Sequence, residues 1–231
     1  MLFVTAIFLP DSGETPKSLA NYLAHARHLV ASGVPLRIYT SPALEEEILK
    51  SWKGLSIDHV DIRVDVFPDP FWEHEVVLPP RRNMSKDTAF FLSVQLSKLK
   101  FCALAAESSD FVVWVDFGLF HVIRDTDKGQ ENLREIAARL PESGRTRLLS
   151  PTNWSQEQYF NWQAPCWRHM GGVLMGPGQA FVKAYGVQQK LATAFLPILT
   201  WEVNYWALME DIDGYPADHD DTILANALTV L

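Results

Sequence analysis

Five apolar residues, Phe111-Val112-Val113-Trp114-Val115, run directly into Asp116, and Gly118 follows two positions later. A short apolar run bounded by polar residues, here Ser109-Asp110 before it, reads as a buried central strand. Near-continuous runs of this kind belong to parallel sheets covered on both faces. An aspartate at the end of such a strand lies on the carboxyl edge of the sheet, where open α/β sheets bind ligands. The same aspartate would also serve as a cap for the following turn, and the local sequence leaves both roles open.

The remainder of the chain fits the α/β class. Residues 2–9 read as a first strand, broken by Pro10-Asp11-Ser12-Gly13. Leu19, Tyr22, Leu23, Ala26, Leu29 and Val30 recur at helical spacing up to Ser32-Gly33, and Val34 to Thr40 forms the next strand. This βαβ unit implies parallel strands. A helix over 43–50, a strand within 57–67, a long Pro- and aromatic-rich loop over 68–82 and one helix over 84–107 lead to the central strand. Beyond it come a helix over 130–139, a strand at 147–149 and an aromatic-dense stretch, 151–169. A strand over 170–176 follows, with glycines at both ends, then helices over 179–193 and from Thr200 to about Met209. No repeat or linker interrupts this order, so residues 1–231 read as one domain.

Composition narrows the function classes. Of 231 residues, 48% are hydrophobic, and the formal net charge is −8. No long basic run is present, which argues against a protein that grips nucleic acid through its phosphates. The only two cysteines, Cys102 and Cys166, form no Cys-x-x-Cys pair, which argues against a zinc site or a disulfide framework. They read as buried free thiols in a reducing compartment. The N-terminal apolar stretch lacks a signal-peptide layout and is too short to span a membrane. A cytoplasmic protein, or one peripheral to a membrane, is expected.

Several residue sets carry chemistry. Asp116, Glu202, Asp218, His219, Asp220 and Asp221 fall at loop positions. Such carboxylates with one imidazole suit Mn²⁺ or Mg²⁺, completed by phosphate oxygens, although the 218–221 run also suits the first turn of a helix. Asp116 is expected to face a metal–phosphate group, with His219 as the partner ligand. Thr5, Ala6 and Tyr39 lie at or near strand ends and would frame a nucleobase or simply pack. The pair Gly171-Gly172 permits close backbone approach to a ligand or tight sheet packing.

Three separated blocks, Trp114-Val115-Asp116-Phe117-Gly118, Thr200-Trp201-Glu202-Val203-Asn204 and Ala217-Asp218-His219-Asp220-Asp221, resemble the HtrL/YibB (WlaTC-like) family. Lys86-Asp87-Thr88 with Ser97-Lys98, and Arg168-His169-Met170-Gly171-Gly172, resemble further blocks of it. The resemblance spans nearly the whole chain. It implies a GT-A-like glycosyltransferase domain, with a mostly parallel central sheet and helices on both faces, in surface polysaccharide or glycan synthesis. It further implies a nucleotide-diphosphate-sugar donor and a glycan acceptor. On this reading Asp116, Lys98, Gly171 and Gly172 meet the donor, and Asp116 with His219 holds the cation. Glu202, or Asp220, supplies the catalytic carboxylate, and Trp201 and Trp206 stack on the acceptor. The chain departs from the usual Asp-x-Asp of such enzymes, because Gly118 stands where the second aspartate would be. That departure keeps a non-catalytic nucleotide- or carbohydrate-binding domain as the alternative.

Overall fold

The computed structural model describes residues 1–10, 18–64, 75–151, 162–213 and 217–219. Its elements in chain order are β1 (Leu2–Ile7), α1 (Leu19–Ala31), β2 (Leu36–Thr40), α2 (Pro42–Ser51), β3 (Val60–Val64), α3 (Ala89–Leu96) and α4 (Lys98–Ala105). Then come β4 (Phe111–Val115), α5 (Thr126–Arg139), β5 (Leu148–Ser150), β6 (Val173–Pro177), α6 (Gly178–Phe195), α7 (Glu202–Asp213) and β7 (Ala217–His219). The strands form one seven-stranded sheet in the order β3-β2-β1-β4-β6-β5-β7. All pairings are parallel except those of β6, which runs antiparallel to β4 and β5. The fold is therefore mixed α/β with a mostly parallel sheet.

Strand periodicity sorts the side chains onto two faces. Phe3, Ile38, Val113, Val115 and Met175 pack against α1, α2 and α5 on one face. Val4, Tyr39, Val112, Trp114 and Leu174 pack against α3, α4, α6 and α7 on the other. The central strand is thus buried on both sides, as its apolar run requires. Asp116 is in phase with Trp114, so its side chain leaves the strand end toward the α4 and α7 layer. Gly176 is set by close approach: a Cβ there would lie 2.9 Å from the Arg147 carbonyl oxygen, where β6 passes β5.

The main departure from the sequence-based expectation is at 84–107. Instead of one helix, α3 starts after Thr88, whose hydroxyl accepts from the Phe91 amide, and α3 and α4 meet at Ser97. The Ser97 hydroxyl donates back to the Ser93 carbonyl, a bond that bends helices. The Gln188 amide donates to the Leu96 carbonyl at 2.8 Å beside the break. The C-terminal segment also differs: residues 217–219 form a short strand beside β5. Thr200, the expected first residue of the last helix, lies two residues before α7. Its hydroxyl donates to the Trp162 carbonyl and accepts from the Asn204 amide. Both cysteines are buried and outside any disulfide, and burial pushes the Cys102 thiol well up. Among the described residues no helix is long and apolar enough to cross a membrane.

Tyr205 is a pH-sensitive group of the core. The Tyr205 hydroxyl donates to the Ile198 carbonyl at 3.0 Å, and burial pushes its pKa up to about 12. The folded value exceeds the ordinary 10.0, so this contribution is complete below pH 10 and disappears as pH climbs toward 12. Tyr205→Phe should therefore lose melting temperature less steeply than the wild type between pH 10 and 12. Parallel slopes would contradict that assignment.

Candidate active site at the carboxyl edge of the sheet

The site is built around Lys98, the first residue of α4, which is 2% exposed. The bend at Ser97 precedes it. Its ammonium lies 2.9 Å from Asp116 Oδ1 and donates to Glu202 Oε1 and to the Gly171 carbonyl, each at 2.8 Å. The Trp114 ring centroid lies 5.6 Å from the same nitrogen. Burial pulls the lysine toward its neutral form, but Asp116 and Glu202 outweigh that and hold its pKa above the ordinary lysine value.

Asp116 is the outward-facing member. Its Oδ1 accepts from the Trp114 indole at 2.9 Å and pairs with Lys98, while its amide donates to the Gly172 carbonyl. Among the described residues no hydrogen bond or ion pair occupies Oδ2, and the side chain is 38% exposed. Glu202 is the inward-facing member, its side chain 7% exposed at the start of α7. The glycine pair has a specific cause here. A Cβ on Gly171 would lie 2.5 Å from Glu202 Oε1, whereas one on Gly172 would meet nothing closer than Leu119 Cδ1 at 3.6 Å.

Five of the residues expected from sequence therefore meet: Lys98, Asp116, Gly171, Gly172 and Glu202. Lys98 takes a different part from the donor-binding one expected. Its three N–H groups have three protein acceptors, so it positions Asp116 and Glu202. Five other residues are corrected by burial. Thr5 is fully buried inside β1, Ala6 packs in the cluster beneath α4, and Tyr39 stacks on Phe101 with ring centroids 4.7 Å apart. Trp206 lies in the core, its indole donating to Gln188, and Trp201 is 7% exposed in the same cluster, so neither presents a face to an acceptor. Asp220 lies outside the described residues.

His219 is engaged elsewhere. Its Nε2 lies 2.8 Å from Glu210 Oε1, and its ring centroid is 5.0 Å from that of His169. Two strands, β6 and β5, separate β4 from β7, so the sheet order keeps His219 apart from Asp116. Asp218, beside it, pairs with Arg145 at 3.0 Å. Burial lowers the His169 pKa and opposes ionisation of Glu210. The histidines beside Glu210 overcome that and bring it down to about 2.

The sequence offered no signal for one neighbour of Asp116. Tyr22 sits on the apolar stripe of α1, indistinguishable there from a packing residue. Its ring lies 3.5 Å from where a Cβ on Gly118 would stand, and burial, then the Asp116 charge, raises its phenol pKa. His121, exposed beside it, shares its Nδ1 with the Gly118 carbonyl at 2.6 Å. The aromatic-dense stretch is described only from residue 162. Its described part is stitched along α7 by Asn204, which accepts from the Cys166 amide and donates to the Ala164 carbonyl. Trp167 within it is 63% exposed.

Together these features define an open α/β protein with a polar site where the strand order turns from β1 outward to β4, the place such sheets hold their ligands. No protein-family model and no curated protein matches the chain. A crystal structure of mouse xyloside xylosyltransferase 1 in its apo form is similar over 94% of this chain and 83% of that one, at 9% sequence identity and a TM-score of 0.44.

Two outcomes test the arrangement. Lys98→Met strands the buried Glu202 charge, and losing one partner of a buried pair costs about 3–5 kcal/mol. Adding Glu202→Gln should recover part of that loss in chemical denaturation, and a Lys98→Met chain as stable as the wild type would refute the buried network. Gly171→Ala should destabilise by about 1–3 kcal/mol, the usual range for overpacking. Gly172→Ala should stay near wild-type stability; equal effects would contradict the close approach at Gly171.

Proposed function

We propose that the chain is a glycosyltransferase moving a sugar from a nucleotide-diphosphate donor to a glycan hydroxyl. The observation that carries this reading is Asp116. It is a half-exposed carboxylate with one oxygen fixed by Lys98 and Trp114 and the other open, at the carboxyl edge beside the β1/β4 switch point. The resemblance to the HtrL/YibB family supports the same class. In this reading the buried Lys98–Glu202 pair leaves Asp116 its negative charge for the ligand. Gly172 lets the donor approach Oδ2, and Tyr22 and His121 form the rim.

The donor set fits a hard cation held mainly by the diphosphate, because Mg²⁺ and Mn²⁺ sites often use one or two carboxylates plus substrate phosphates. Asp116 Oδ2 would hold that cation, which when bound would neutralise charge on the departing diphosphate. His219 does not join it, and Glu202, with its Oε1 given to Lys98, acts as a positioning residue.

A second reading, a domain that binds nucleotide or carbohydrate without turnover, is favoured by Gly118, which puts no second carboxylate beside Asp116. A panel of UDP-, GDP-, CMP- and dTDP-sugars, each with Mn²⁺ and with EDTA, separates these readings. A native-state ligand at a hundred times its Kd stabilises by about 2.7 kcal/mol. The proposal expects one nucleotide class to raise the melting temperature with Mn²⁺ and to release nucleoside diphosphate. Asp116→Asn should abolish that shift at a cost of roughly 1 kcal/mol in its own stability. That cost arises because Asp116 Oδ1 is the acceptor for both Lys98 and Trp114. A shift without nucleotide release would select the second reading, and a shift unchanged in Asp116→Asn would refute the site.

A further inference from the structure

We infer that His169, Glu210 and His219 form a separate site for a divalent transition-metal ion of the zinc type, which fastens β7 and the segment before β6 onto α7. The three side chains come from three parts of the chain, and their ligand atoms all lie within 4.8 Å of one another. Two contacts already approach the spacing of a coordination shell. His219 Nε2 is 2.8 Å from Glu210 Oε1, and His169 Nε2 is 3.5 Å from Glu210 Oε2. Zinc bound at about 2.0–2.2 Å to imidazole and carboxylate places neighbouring ligand atoms about 3.4 Å apart, so small side-chain rotations close the set.

The independent observation is His169. It is 2% exposed, yet among the described residues neither ring nitrogen makes a hydrogen bond, and Nε2 has only the longer 3.5 Å approach to Glu210 Oε2. Buried polar atoms are nearly always partnered, and a metal bond supplies the missing partner. Trp206 meets the His169 ring edge-on at 5.8 Å and fixes its plane. A cavity of about 10 Å³ lies beside His169 and Glu210, with Leu148, Leu174 and Met209 among its other walls, room for one small species. Two imidazoles and one carboxylate are a donor set that borderline metals take, with a fourth position left open.

The charge around the site permits a cation. Among the described residues, the guanidinium against Glu210 is that of Arg168, whose Nη1 lies 3.2 Å from Oε2. That guanidinium is drawn more closely to Asp211, at 2.7 Å, and also donates to the Ala207 carbonyl. Glu210 therefore keeps charge for the metal, and Arg168 orients its carboxylate, as outer groups of metal sites do.

This inference does not rest on the proposed activity and is tested without it. The full chain, stripped with chelator and dialysed, is loaded with Zn²⁺ for metal analysis and with Co²⁺ for visible absorption. One tightly held ion per chain, with Co²⁺ d–d bands of tetrahedral N/O character, is expected. Both signals should survive in Asp116→Asn. His219→Gln, on a short edge strand, should weaken Zn²⁺ binding at least about tenfold, and Glu210→Gln should do the same. Metal-free melting curves of each variant show that it is folded. No stoichiometric metal on the wild type, binding unchanged in folded His219→Gln, or binding lost in Asp116→Asn would each overturn the assignment.

Discussion

The ammonium of Lys98 is the point on which the two halves of the sheet edge depend. A lysine has three N–H groups and no acceptor. Here they meet Asp116, Glu202 and the Gly171 carbonyl. One nitrogen therefore ties the start of α4 to the end of β4, the glycine turn before β6 and the start of α7. Burying a charge is unfavourable unless it is paired and fully hydrogen-bonded, and this one is both. An arginine would present a planar fork of five donors, which these three convergent acceptors do not match.

The consequence is a division of labour between two carboxylates. Glu202 compensates the lysine from inside, so Asp116 needs to give it only one oxygen. The arrangement turns a single aspartate at a strand end into a fixed, outward-facing anionic atom. Helix α7 links this edge to the second cluster. Glu210 follows Glu202 along it by eight residues, roughly 12 Å at helical rise. The segment 162–172 runs beside that helix and contributes Gly171 to one cluster and His169 to the other.

Much of this was legible in the sequence, and the reasons are physical. The Phe111–Val115 run showed a central strand because burial on both faces leaves a continuous apolar signal, and Asp116 followed from where that strand ends. Gly171 and Gly172 stood out as a pair, although only the structure shows that a Cβ on the first would strike Glu202. Lys98 was read as a ligand contact because nothing local tells a buried lysine from an exposed one. Its burial is set by a helix break at Ser97 and by partners 73 and 104 residues away. Trp201 and Trp206 were misread for the opposite reason. Aromatics beside a functional carboxylate suit a sugar face and a core equally, and the α6–α7 packing decides for the core. His219 was paired with Asp116 on residue type alone, whereas β6 and β5, the two strands inserted between β4 and β7, send it to Glu210.

The most direct measurement is a crystal structure of the chain grown with Mn²⁺ and the nucleotide-sugar that binds most tightly. The account predicts the diphosphate in the crevice between the carboxyl ends of β1 and β4, with the cation on Asp116 Oδ2 and the Lys98–Glu202 pair still closed. A diphosphate bound at another edge of the sheet, or a Lys98 that has left Asp116 to contact phosphate, would contradict it.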